Sequence, residues 1–162
     1  MTIGLENVMI GVIQLIISII LAVVSLYIGF AMLGKLTSTI DEEKELAKGN
    51  TAVGILVASI FISIAIVVQS GIAGISAGLR NAVAGNIYCL VASVVQLVIG
   101  IILAVVVIFM ALNVFDKLTK GIDEFEEIRK GNVAVALEMA GVIVATALIV
   151  QSGVIGITSS LF

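Results

Sequence analysis

The sequence predicts an all-α, polytopic membrane protein in which four transmembrane helices form two parallel tandem hairpin repeats. Three observations lead to this fold class. The chain is 61% hydrophobic and 12% charged, with a mean hydropathy of +1.33, and a soluble domain of 162 residues cannot bury that much apolar surface. Four long apolar segments alternate with short connections, two of which are dense in charge. The second half of the chain repeats the first.

The repeat is clearest in the two charged turns, residues 35–50 and 116–132. Both end in Lys-Gly-Asn, and the two tripeptides are 82 positions apart, as Lys48 is from Lys130. We call two residues equivalent when they are separated by this offset, and the alignment runs without gaps from Gln14 with Gln96 to Leu79 with Leu161. The chain therefore divides into a first hairpin repeat, an external connection and a second hairpin repeat: residues 1–79, 80–86 and 87–162.

The four apolar segments predict membrane-spanning helices. Backbone groups in hydrocarbon must bond within their own segment unless a barrel closes, and these segments lack the alternation of barrel strands. A run of about 27 residues is about 40 Å long as a helix, against a hydrocarbon core of roughly 30 Å, so the helices should tilt or project. The segments are residues 8–34, 51–78, 87–114 and 133–160.

The orientation is predicted from Lys and Arg residues, which concentrate in short cytoplasmic connections. The connection between the repeats contains only Arg80. The charged turns are therefore expected in the cytoplasm, with both termini and residues 80–86 outside. Because each repeat crosses the membrane twice, the repeats are parallel. The basic residues of the turns are Lys35, Lys44, Lys48, Lys117, Lys120, Arg129 and Lys130.

Each charged turn is predicted to contain a short surface helix. Thr39-Ile-Asp-Glu42 matches a capping box, and acidic residues crowd the first helical turn. Glycine suits the left-handed end of such a helix, and the asparagine after it suits the cap of the next membrane helix. These turn and capping residues are Gly49, Asn50, Gly131 and Asn132.

The signature Gly-Asn-x-Ala-Val occurs twice, at Gly49 to Val53 and at Gly131 to Val135, each time after an acidic turn. With the matching Gln69-Ser-Gly71 and Gln151-Ser-Gly153, it resembles the "domain of unknown function 350" family of small prokaryotic membrane proteins, the YjfL type. The resemblance covers nearly the whole chain. It implies a polytopic helical protein of the cell membrane with duplicated hairpins, and it implies no established reaction, cofactor or catalytic residue.

Glu138 is predicted about two turns inside the fourth helix, roughly 9 Å beyond Asn132. A carboxylate there is costly unless it is neutral, paired or facing a wet cavity. Asn113, at a similar depth in the third helix, is a candidate hydrogen-bond partner, so the two residues form a possible intramembrane polar site. In the other interpretation Glu138 only reaches the headgroup region. Its equivalent in the first repeat is Leu56.

Four glutamines are predicted to form a polar layer near the outer leaflet, because each lies roughly 30 Å from the charged turns along its helix. Facing inward, their amides would bond across helices and fix register, or line the mouth of a pore. Facing outward, they would lie in the polar interface. They are Gln14, Gln69, Gln96 and Gln151.

Small residues at four-residue spacing let helix backbones approach closely. The predicted helix-packing residues are Ser70, Gly74 and Gly78 in the first repeat, and Ser152, Gly156 and Ser160 in the second. Such faces exceed what four helices of one monomer need, so the sequence predicts a homo-oligomer.

Composition argues against several function classes. The sequence has no His, and Cys89 is its single cysteine, so no disulfide framework, metal site or catalytic triad is expected. The basic residues are interleaved with acidic ones, which argues against nucleic acid as a partner. We expect no enzyme and no cofactor.

The leading hypothesis is a non-catalytic integral membrane protein that self-associates as a structural or scaffolding element of the bilayer. Two alternatives stay open. One is a small oligomeric ion channel or ion-coupled transporter in which Glu138 and the glutamine layer mark the two ends of a path. The other is an interaction subunit of a larger membrane complex, with a cytoplasmic protein partner at the charged turns.

Overall fold

The computed structural model describes the backbone of residues 2–36, 40–118, 121 and 123–161, and these residues form helices and turns without a strand. The helices are α1 (Thr2–Leu36), α2 (Glu42–Ala47), α3 (Thr51–Val83), α4 (Ile87–Leu118), α5 (Glu124–Arg129) and α6 (Val133–Leu161). Four of them are long and apolar enough to cross a membrane. The predicted all-α class with four spanning helices is confirmed. Thr39, where the expected capping box begins, lies outside the described residues.

The long helices extend further than the apolar runs indicate, most clearly at the end of α3. This helix continues through polar residues to Val83 and stops before Gly85, whose φ is 101°. The N–H of Asn86 then bonds to the carbonyl of Asn81 at 2.9 Å. A left-handed glycine followed by this bond is a common helix ending, so the end is set by Gly85 rather than by loss of hydrophobicity.

The centre of the bundle is α3. It packs along α4 and α6 and also holds α1, whereas α1 packs mainly on α3. In the most apolar stretch of each spanning helix, 56% of the α3 residues are buried, compared with 22% of the α6 residues and 6% of the α1 residues. Helix α1 therefore lies at the edge of the bundle, and most of its described side chains are exposed.

The main hydrophobic core begins at the end of the bundle that carries the charged turns and continues along α3 as far as Val68. Ile128 of α5 packs here with side chains from the first turns of α3 and α6, including Val53, Leu56 and Met139. A smaller cluster farther from the turns joins Val67 of α3 to α6. Both charged turns thus contribute a buried side chain to this core, Ile40 from the first and Ile128 from the second.

Candidate interaction surface

The two charged turns have the same local structure. The Oδ1 atoms of Asp41 and Asp123 each accept the backbone N–H three residues later, at 3.2 and 2.9 Å, and so cap α2 and α5. Each short helix ends at a left-handed glycine, with φ of 78° at Gly49 and 91° at Gly131. The N–H of the next asparagine returns to the carbonyl five residues earlier, at 3.0 and 2.9 Å. These bonds satisfy the exposed backbone groups of both helix ends.

Asn50 and Asn132 then cap α3 and α6. Each Oδ1 accepts the backbone N–H groups two and three residues later. The ammonium of Lys48 and the amide of Asn50 hydrogen-bond to Glu45 and hold its pKa below the ordinary value. The equivalent amide and ammonium lower the pKa of Glu127 in the second turn. Both carboxylates are ionised at neutral pH and are engaged within their own turns.

The side chain of Asn50 also connects the two repeats. Its Nδ2 donates to the carbonyls of Ile128 and Arg129, at 3.2 and 3.0 Å, and so bonds the carboxyl end of α5. The Arg129 charge adds to the lowering of the Glu45 pKa across the same contact. The cap of a helix in repeat 1 is therefore also the anchor of a helix in repeat 2.

Among the described residues, Asn132 of the second repeat makes no counterpart of this contact. By equivalence, Asn132 would bond the end of α2, but within the described residues its amide donates to Glu127 at 3.0 Å. Ile128, which lies at the bonded end of α5, is 0% exposed, whereas the equivalent Leu46 on α2 is 43% exposed. The apolar side chain at the end of α2 is therefore exposed, whereas the equivalent side chain at the end of α5 is buried.

The same asymmetry holds along the long helices. We define the buried face of α3 as four residues that are buried in the bundle: Ser59, Ser63, Ser70 and Gly71. A Cβ on Gly71 would overlap Leu97 of α4, whose own Cβ would be 3.2 Å away. A Cβ on Gly78 would be 2.8 Å from the carbonyl of Cys89. Helix α4 therefore approaches α3 closely through the absence of side chains at these glycines.

The equivalent residues of α6 are exposed. We call them the open face of α6: Gly141, Ala145, Ser152 and Gly153. No described atom would lie within 4 Å of a Cβ added at Gly141 or Gly153. Of the predicted helix-packing residues, Ser70, Gly74 and Gly78 are buried, Ser152 and Gly156 are exposed, and the side chain of Ser160 lies outside the described residues.

The glutamines of the predicted polar layer also differ between the two repeats. The amide nitrogen of Gln96 donates to the carbonyl of Val154, and that of Gln151 to the carbonyl of Ile66, both at 3.0 Å. These two bonds join α4 to α6 and α6 to α3, which is the arrangement that fixes helix register. In repeat 1, Gln14 is half-buried and Gln69 is exposed.

Glu138 and Asn113 are both exposed on the surface of the bundle. The amide of Asn113 donates to the carbonyl of Phe109 in its own helix at 2.8 Å. Among the described contacts, none joins Asn113 to Glu138. Glu138 lies one turn before Gly141, so it borders the open face of α6.

The contact residues that sequence reasoning missed are Leu97, which fills the space beside Gly71, and Ile128, which packs under Asn50. Leu97 belongs to a long apolar run, and the neighbouring Gln96 does not distinguish it from the other apolar residues as a packing residue. The signal that identifies both residues is the difference in exposure between equivalent positions, which only a folded chain provides. The repeat itself could have directed attention to these pairs.

Comparison with known proteins agrees with the duplicated architecture. A family model described as Domain of Unknown Function (DUF350) matches the chain twice, over residues 7–103 and 88–162. Searches of curated proteins and of solved structures gave no match.

Proposed function

The chain belongs to the DUF350 family and is a multi-pass membrane protein, and from this premise we propose that it is a non-catalytic structural element of the bilayer that works by self-association. We place the charged turns in the cytoplasm and both termini outside, in the cell membrane. The observation that supports the proposal is the open face of α6, where small residues lie on the surface although equivalent residues of α3 pack against neighbouring helices.

The physical argument concerns what lipid can and cannot cover. Lipid tails are as apolar as leucine, so apolar exposure alone does not drive helices together in a membrane. Close backbone approach at small residues does, because it increases van der Waals contact and interhelical hydrogen bonding. The exposed Gly141, Ala145 and Gly153 form such a surface, and α3 shows how the equivalent surface is used.

The experiment is a measurement of particle mass in nanodiscs, followed by imaging of particle shape. We expect a homo-oligomer, and we expect Gly141→Leu to reduce its fraction strongly because a large side chain blocks backbone approach. The matched control is Ala31→Leu, which makes a similar change at an exposed residue of α1 away from this face. A strictly monomeric mass for the unmodified chain would exclude the proposal.

A second candidate function is a small channel, and one observation favours it. Glu138 borders the open face, so association through that face would bring carboxylates of neighbouring copies near a shared surface. A ring with a central opening and an ion flux in liposomes that Glu138→Gln reduces would support this function. Absence of flux, or flux unchanged by the substitution, would remove it.

Binding of a cytoplasmic protein at the charged turns is a third function to test. Glu42, Glu45 and Glu127 are partly accessible, whereas Glu124 is 2% exposed and is not available to a partner. Charge reversal at Glu42 and Glu45, compared with the uncharged variants Glu42→Gln and Glu45→Gln, separates a charge-dependent partner from a loss of turn structure. Co-purification that survives charge reversal would argue against this function.

A further inference from the structure

The two repeats pack on each other through different surfaces. Repeat 1 contributes the buried face of α3 and the side chain of Asn50. Repeat 2 contributes α4, which places Leu97 against Gly71, and the end of α5, whose carbonyls accept from Asn50. Because the repeats share their sequence pattern, each chain also carries a second copy of both surfaces.

The second copy of each packing surface is the exposed one. The equivalent of Leu97 is Leu15 on α1, and the exposed fraction is 2% for Leu97 but 59% for Leu15. The equivalent of Gly71 is Gly153 on the open face of α6, beside which no described atom would touch an added Cβ. Helix α6 therefore exposes a second copy of the glycine surface of α3. Helix α1 exposes a second copy of the α4 side chain that packs on that surface.

A chain whose two repeats were related by a closed twofold axis would satisfy both surfaces internally. In that arrangement α1 would cover α6 as α4 covers α3. The described part of the chain shows α1 packed mainly on α3, with Leu15 and Gly153 both open. The two repeats are thus not related by a closed twofold axis. Contacts between like units that do not close in this way continue into a neighbouring copy.

We infer, on the basis of the proposed self-association, that α6 and Asn132 of one copy bind α1 and the end of α2 of a second copy, by the contacts that join repeat 1 to repeat 2 within the chain. The interface is heterologous, since its two sides are different surfaces. Leu15 of the second copy packs against Gly153, and the Asn132 amide donates to the backbone carbonyl of Leu46 of the second copy. Such contacts form closed rings or continuous filaments, according to the rotation between copies.

A separate pair of residues supports the same arrangement. Gln151 of α6 donates to the carbonyl of Ile66 of α3 within the chain. Under the same relation, Gln69 of the second copy donates to the carbonyl of Leu148 on α6. Both residues are exposed in the isolated chain, and association supplies the interhelical bond that the other two glutamines already make.

Site-directed disulfides test this inference in the full chain in native membranes, in a Cys89→Ser background that removes the single natural thiol. Two variant chains are used, one with Leu15→Cys and the other with Gly153→Cys. They carry different tags and are co-expressed in the same cells. We expect an intermolecular disulfide between the two variants, giving a covalent dimer, and no dimer from either variant alone. A chain that carries both substitutions is expected to form a ladder of higher covalent oligomers.

The chain provides matched controls. Gly71→Cys with Leu97→Cys is the equivalent pair inside one molecule, and its Cβ separation of 3.2 Å is close to the roughly 3.8 Å of a disulfide. It should form an intrachain bond without a change in mass. Ile13→Cys replaces Leu15→Cys as the negative control, because Ile13 lies on another side of α1 at a similar depth and is also exposed.

Three outcomes would overturn the inference, and each differs from failure of the proposed function. Covalent dimers from Leu15→Cys alone or Gly153→Cys alone would show a twofold interface between identical surfaces. An intrachain bond between the two positions would show that α1 closes on its own α6. An oligomeric mass in nanodiscs without any bond between these positions would preserve self-association and exclude this interface, whereas a monomeric mass would exclude both.

Discussion

The amide nitrogen of Asn50 lies 3.0 Å from the carbonyl oxygen of Arg129, so one side chain caps a helix of the first repeat and holds the last turn of a helix in the second. Its oxygen accepts from the first turn of α3, and its nitrogen donates both to Glu45 of its own repeat and to two carbonyls of the second repeat. The charged turns therefore connect the two repeats to each other, in addition to forming the aqueous end of the bundle. Asn132 forms the same cap, but none of its described bonds reaches the first repeat.

The first prediction compares alanine substitutions at these two asparagines. Both substitutions remove a cap worth about 1 kcal/mol together with an exposed amide bond to the glutamate of the same turn, and only Asn50→Ala also removes two inter-repeat hydrogen bonds worth about 1 kcal/mol each. In a detergent that keeps the protein monomeric, we expect a loss of unfolding free energy of about 2–3 kcal/mol for Asn50→Ala and about 1 kcal/mol for Asn132→Ala. Equal losses would show that the bonds to Ile128 and Arg129 contribute nothing.

The second prediction compares two equivalent glycines. Gly71→Ala places a Cβ where Leu97 already lies, so we expect a loss of about 1–3 kcal/mol from overpacking. Gly153→Ala adds a Cβ in open space and should leave the unfolding free energy of the monomer within about 0.5 kcal/mol of the unmodified chain. The measurement is reversible unfolding in the same monomeric detergent. A larger loss at Gly153 than at Gly71 would contradict the packing of α4 on α3.

The third prediction concerns acid. The bond from Lys44 lowers the pKa of Asp41, and bonds from Lys48 and Asn50 lower that of Glu45. Because each folded-state pKa lies below the unfolded value of about 4, the contribution to stability is complete above that value and is lost as pH falls through the folded-state pKa. We expect hydrogen-exchange protection of the α2 amides to be constant between about pH 5 and 7 and to fall below about pH 4.

The matched control for acid is Glu45→Gln, which keeps a hydrogen-bond acceptor but does not titrate. It should weaken protection of α2 at neutral pH and reduce the further loss in acid. Protection that stays constant down to about pH 3 in the unmodified chain would show that these carboxylates do not support the turn.

The fourth prediction replaces Glu138 by the residue at its equivalent position, Leu56, which is buried in the core of the bundle. If α6 receives a second copy as α3 receives α4, then Glu138→Leu removes the cost of covering a carboxylate. We expect the oligomer to dissociate at a several-fold lower protein-to-lipid ratio than the unmodified chain. Glu138→Gln should have a smaller effect in the same direction. Weaker association of Glu138→Leu would instead support a functional carboxylate.

Much of the fold could be predicted because the four apolar runs and the Gly-Asn pairs are local signals. Asn50 and Asn132 mark the starts of α3 and α6 within one residue, since cap chemistry depends on neighbouring backbone groups. The apolar run predicts an end for α3 at Gly78, five residues before the observed Val83, because the last turns contain polar residues and Gly85 stops the helix.

The difference between the repeats could not be predicted. The sequences of α3 and α6 are so alike that periodicity assigns both the same packing face, yet Gly71 is covered and Gly153 is open. Which copy of a repeated surface is used depends on how the second hairpin folds back after Ala84, a rotation that no residue pattern reports. The glutamines show the same limit: the repeat predicts one layer of four amides but does not separate inward from outward orientation, and in the structure Gln96 and Gln151 bond across helices.

The central position of α3 has a consequence for synthesis of the chain. Helix α3 leaves the ribosome before α4 and α6, so its small-residue face enters the bilayer while neither of these neighbours exists. At about 5–20 residues per second, the next 35 residues require several seconds. The short link from Ala84 to Asn86 then delivers α4 directly beside it. The N-terminal hairpin is thus complete before the helices that cover the buried face of α3 have been made.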